Sequence, residues 1–78
     1  MMRSFSQKEI ARIVRSRFGG TVNQGLRTRI RVLIAGCDLE ECWSRLQALQ
    51  SRVALSASGQ AALEGVLADL AELQGEES

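Results

Sequence analysis

The chain of 78 residues predicts an all-α domain of about four short helices. Three observations predict it. Apolar residues recur three and four apart in four successive segments, the spacing of one face of a helix. Three of those segments open with a Ser, Thr or Asp followed three residues later by Glu or Gln, the pattern in which a side chain and a backbone amide cap each other. Proline is absent, and only one segment alternates polar and apolar residues, so a sheet has no second strand within the chain. A single domain, residues 1–78, is expected. At this length it buries about 60–65% of the surface its unfolded form exposes. Its own core is modest, and association with a second chain would add to it.

The first helix is expected over 6–18. Ser6-Gln7-Lys8-Glu9 has capping-box form, and Phe5 and Ile10 stand where a hydrophobic staple needs them. Ile10, Ile13, Val14 and Phe18 follow at helical spacing, and Gly19-Gly20 ends the run. Lys8, Arg12 and Arg15 share the opposite stripe. Arg17 falls among the apolar positions, where its stem can lie along the core and its charge can meet the helix C-terminus.

The second segment supports two readings. As a helix over 22–36 it starts with a Thr21-to-Gln24 capping box. Val22, Leu26, Ile30, Leu33, Ile34 and Cys37 make one apolar face, with Gly36 placed to close it. Arg27 and Arg29 then flank that face on opposite sides and Arg31 points away. As a strand over 27–34, Arg27-Thr28-Arg29-Ile30-Arg31-Val32 alternates and puts three arginines on one side. A lone strand could pair only with a second copy of the chain. The helix accounts for Leu26 and Leu33 and leaves Val32 exposed, and it is the favoured reading.

The third helix is expected over 39–54. Asp38 and Glu41 form its capping box, Cys37 and Cys42 stand in staple positions, and Leu39, Cys42, Leu46, Leu49 and Val53 run along one face beside Trp43. Glu41 and Arg45 are an i, i+4 pair. Ser56 or Ser58 caps a fourth helix over 58–74, with Leu63, Val66, Leu67, Leu70 and Leu73 on one face and Glu64, Asp69 and Glu72 on the other. The third and fourth helices are long enough for an antiparallel hairpin. Residues 1–5 and 75–78 are expected to fray.

A net charge of +1 conceals a division. Residues 1–37 carry eight basic side chains against one acidic, net +7; residues 38–78 carry two against eight, net −6. Such a split points to an anion-binding half or to two halves that attract each other. The two cysteines lie five apart and there is no histidine, so a four-ligand zinc site has no ligand set. Residues at i and i+5 diverge around a helix, so Cys37 and Cys42 read as small buried hydrophobes of a reducing cytoplasm. Met1–Ile10 is polar, so no leader is expected, and no segment reaches the roughly 20 apolar residues of a membrane span.

Catalysis is not expected, because there is no His or Tyr and no glycine-rich phosphate loop. No cofactor, metal or small-molecule substrate is expected. Binding to an anionic surface is the leading expectation, carried by Lys8, Arg12, Arg15, Arg27, Arg29 and Arg31. Val32 and Trp43 are possible hydrophobic contacts, and a homodimer is the expected state.

Residues Ser6–Val14, with Ala11 at the small position, resemble the first helix of a helix-turn-helix regulator. Arg15 stands near where the tight-turn glycine of that family would fall, and the glycines come only at 19–20. In the strand reading, Arg27-x-Arg29-x-Arg31 followed by two capped helices resembles a ribbon-helix-helix repressor. That resemblance implies that alternate strand residues of a dimer enter the major groove. The function expected first is a small DNA-associated regulator of phage or plasmid type, or an inhibitor of a nucleic-acid-handling complex. The alternative is a helical protein–protein adaptor, inhibitor or secretion-type chaperone without nucleic-acid contact.

Overall fold

The structure is a computed structural model that describes residues 7–19 and 23–77. It is all-helical: α1 spans Gln7–Arg17, α2 Gln24–Leu33, α3 Leu39–Arg52 and α4 Ala57–Glu77. No strand occurs among the described residues. The strand reading of 27–34, and the ribbon dimer that depended on it, is therefore corrected: these residues lie in α2 and the turn after it. Ile30 and Leu33, which a strand would set on opposite faces, both turn to the core, Ile30 fully buried and Leu33 half-buried, while Val32 is left exposed; a helix makes that grouping and a strand does not.

The longest helix, α4, is the spine. At ~1.5 Å per residue its 21 residues reach ~31 Å, most of the molecule's 40 Å long axis. Both α1 and α3 pack principally on it. Leu63, Val66, Leu67 and Leu70 of α4 are buried against Ile10 and Val14 of α1 and against Leu39, Cys42, Leu46 and Leu49 of α3. Phe18, just beyond α1, is buried with them, while Leu26, Trp43 and Leu73 pack from the margins. No polar or charged residue is buried among the described residues. The third and fourth helices form the expected hairpin. Val53 leaves the helix in an extended conformation, and Ser56 caps α4 by accepting from the Gly59 amide at 3.2 Å.

Of the three expected capping boxes, that of Ser6 lies outside the described residues, that of Thr21 is not made, and that of Asp38 is made in its first half only, the Glu41 carboxylate turning to Arg45. At α3 the Asp38 carboxylate accepts from the Glu41 amide at 2.8 Å. At α2 the helix begins at Gln24, which makes Gln24 its first residue and not the third that a Thr21 capping box requires. Asn23 precedes it in the left-handed region (φ 64°) and makes no side-chain cap. Its amide instead reaches across to α4, donating to Ser58 Oγ at 3.1 Å and accepting from Ser56 Oγ at 3.4 Å. A tertiary partner has replaced the local one. Phe5, Ser6, Thr21 and Val22 lie outside the described residues. The second helix is also shorter than its expected 22–36. It ends at Leu33 because the chain turns through Ile34–Cys37, with Gly36 at φ +78°, to send α3 back. The fourth helix runs on to Glu77, past its expected end at 74. Gly75 lowers helix propensity by only about 1 kcal/mol, and no left-handed stop is made there.

Two glycines of α4 let its neighbours close. A Cβ on Gly59 would stand 3.3 Å from Leu26 Cδ2 and 3.2 Å from Ser56 Oγ, where α2 meets the start of α4. A Cβ on Gly65 would stand 2.8 Å from Arg17 Cδ. The Arg17 side chain thus crosses α4 over a glycine and ends on Asp69 in a two-pronged contact, Nε to Oδ2 and a second N–H to Oδ1, both 2.9 Å. Asp69, expected on the solvent side of α4, is half-buried by this contact. The hydrogen bonds and charge of Arg17 lower the Asp69 pKa.

Replacing Gly59 with Ala should loosen α2 selectively. Amide exchange across Arg27–Leu33 is expected to speed up about tenfold while the centre of α4 stays protected, as read by hydrogen exchange. Uniform acceleration in every helix would contradict this picture of a locally seated α2. For Asp69 the sign follows from its lowered pKa. The pair stabilises the fold above the unfolded-state value of about 4 and loses that contribution as pH falls through the lower folded value. Asp69→Asn should therefore melt below the wild type at pH 7, and the gap should close in acid. The effect is small, as for other partly exposed pairs.

Candidate docking groove between the second and third helices

The turn between α2 and α3 is built by polar contacts to backbone. Arg45 of α3 donates one guanidinium N–H to the carbonyl of Leu33, at the end of α2, at 3.0 Å. Its other terminal nitrogen holds Glu41 at 2.9 Å, the i, i+4 pair legible in the sequence. The Cys37 thiol donates to the same Glu41 oxygen at 3.5 Å. From α1, Gln7 donates to the Cys37 carbonyl at 2.7 Å. The last carbonyl of α2 and a carbonyl of the turn after it are thereby satisfied by side chains of other helices. The distance between α2 and α3 is set at this corner.

Beyond the corner the two helices leave an open groove of about 770 Å³. Leu33 and Val32 of α2, Ala48 and Leu49 of α3, and Val53 just past its end line it with carbon. Val32 is 75% exposed, the one large hydrophobic side chain so exposed among the described residues. Arginines edge the groove on both sides, Arg29 from α2 and Arg45 and Arg52 from α3. Arg45 is spoken for by Leu33 and Glu41. Arg29 and Arg52 have no ion-pair partner among the described residues. Arg45 and Arg52 lie seven residues apart, about 10 Å along one stripe of α3.

The residues expected from sequence to bind are distributed unequally around this feature. Arg29 and Val32 line the groove. Arg27 and Arg31 do not: at ~100° per residue, Arg29 points about 160° away from both around α2. Lys8, Arg12 and Arg15 are exposed on α1. Arg12 borders a smaller depression with Ile13 of α1 and Asp69, Glu72 and Leu73 of α4. Trp43 is half-buried against the core and lies outside the groove. Arg45 and Arg52 are the groove residues that sequence reasoning passed over. Their signal was present as an Arg–Ala–Arg stripe at 45, 48 and 52, obscured by the acidic balance of that half of the chain.

Neither thiol is disposed for nucleophilic chemistry. Burial pushes the Cys42 pKa up to about 11. Burial, then the hydrogen bond to Glu41, raises that of Cys37. Both are free and buried, with Cys42 directed at the carbonyls of Cys37 and Ile34. A thiol held protonated is a poor nucleophile. Among the described residues no cluster of His, Cys, Asp or Glu could hold a metal ion, and no helix is long and apolar enough to cross a membrane. The chain matches no protein-family model, no curated protein and no solved structure.

Alkylation should report this directly. At pH 8 Cys42 is expected to resist iodoacetamide until the protein unfolds, and to label within minutes in denaturant. Rapid labelling of Cys42 in the native protein would show that its burial is breached.

Proposed function

We propose that this is a cytoplasmic, non-catalytic binding protein that docks an acidic amphipathic helix of a partner in the α2–α3 groove. The observation that carries the reading is the combination at one place of an exposed apolar floor around Val32 with arginines on both edges. An apolar stripe on the partner would cover Val32, Leu33, Leu49 and Val53, and its flanking carboxylates would meet Arg29 and Arg52. This is the helix-in-groove mode of recognition, in which carbon supplies affinity and edge charge supplies orientation. Two unlinked thiols agree with a reducing compartment.

The distribution of arginines favours a protein helix over duplex DNA. A duplex rewards cations set along one surface and gives nothing for an apolar floor. Here Arg29 is turned away from Arg27 and Arg31, and what it joins is a hydrocarbon surface.

A designed helical peptide of about 18 residues, leucines on one face and glutamates beside them, tests the reading by fluorescence anisotropy. It should bind, and its lysine-flanked counterpart should not. Val32→Asp should weaken binding at least about tenfold, since it places a carboxylate on the groove floor. Val32 is solvent-exposed, so the fold should be unaffected. If duplex DNA binds at ~50 mM salt with steep salt dependence, while Val32→Asp changes nothing, the nucleic-acid function replaces this one.

A further inference from the structure

We infer that the acidic helix taken by the groove is α4 of a second copy of this chain. The inference rests on the groove being a docking site and adds the identity of its occupant. The complementarity is visible when the exposed side of α4 is compared with the groove. Around α4, Ala61, Ala68 and Gly75 are exposed along one line, and Glu64 and Glu72 stand on either side of it, about 80° apart at ~100° per residue. Carbon in the middle and a carboxylate on each edge is the inverse of the groove, which has carbon in the middle and a guanidinium on each edge.

The buried side of α4 is fully used by α1 and α3, so this outer line is what α4 has left to offer. Small side chains on it would let the backbone of α4 come close to the projecting Val32. Neither acid forms an ion pair among the described residues, although Glu72 shares a depression with Arg12. Glu64 receives one 3.4 Å hydrogen bond from Gln60, and Glu72 adds to the field at Arg17 without forming an ion pair with it. Opposite charges then meet between molecules as well as within one: Arg17 meets Asp69 inside the chain, and Arg29 and Arg52 meet Glu64 and Glu72 of the second copy. Every copy carries both surfaces, and two copies that dock reciprocally form a closed dimer, whereas docking in one direction would extend a chain of copies.

Sedimentation equilibrium on the whole chain tests this with a charge exchange. Wild type should associate at micromolar to millimolar concentration and dissociate as salt is raised. The groove variant Arg29→Glu/Arg52→Glu and the helix variant Glu64→Arg/Glu72→Arg should each be monomeric, with helical circular dichroism intact. Mixed in equal amounts they should associate again, at least about tenfold more tightly than either alone, because each altered groove then meets an altered α4. Ala68→Glu, a single exposed substitution, should also abolish association. Association that survives both charge variants, or a mixture no tighter than its components, overturns the inference. If wild type stays monomeric while the designed acidic peptide still binds, the groove remains a docking site and α4 is not its occupant. If neither occurs, the groove reading fails with it.

Discussion

One buried seam holds this molecule together: the contact of Leu63, Val66, Leu67 and Leu70 on α4 with α1 on one side and α3 on the other. A chain of this size has room for one core, and its apolar area is concentrated there. The consequence for α2 is that it joins the seam late and lightly. Within the helix proper Ile30 is its only fully buried side chain, with Ile34 just past its end. Its position is fixed by polar contacts at its two ends: Asn23 with Ser56 and Ser58 at the start, and Arg45 on the Leu33 carbonyl at the finish. A helix held this way is positioned accurately but leaves much of its outer surface uncovered, and that is where the groove arises.

The parts of this architecture that were readable in advance are those decided within a few residues. Periodicity marked the four helices because burial of one face is their main stabilisation. Asp38 capped α3 as its spacing implied, since the donor and acceptor are three residues apart and nothing competes for them. Asn23 shows where such reasoning stops. Its side chain had a local role available and took a tertiary one, and the helix start moved with it. Arg17 is similar: its stem was expected along the core, but the partner at its tip lies 52 residues away, and the glycine beneath it could be understood only once α1 lay on α4.

The groove was less legible than the fold for a related reason. Charge summed over sequence halves set Arg45 and Arg52 in an acidic region and grouped Arg29 with Arg27 and Arg31. Folding regroups them by face. The helical twist turns Arg29 away from its sequence neighbours and toward α3, whose arginines recur every two turns. Net charge along a chain constrains solubility and long-range attraction, while the shape of a charged site depends on which faces meet.

The glycines at 59 and 65 bear on more than local fit. Leucines at three- and four-residue intervals make a seam that repeats itself, and a repeating seam would be nearly as content displaced by one turn. Such a slip of about 6 Å would set the stem of Arg17 on Ala61 or Asp69 in place of Gly65, and would take Leu26 off Gly59. The two notches face different neighbours and admit only one alignment of α4 with both. They make the helix a key cut for a single position, so a core of otherwise interchangeable aliphatic residues settles into one arrangement and not several of similar energy.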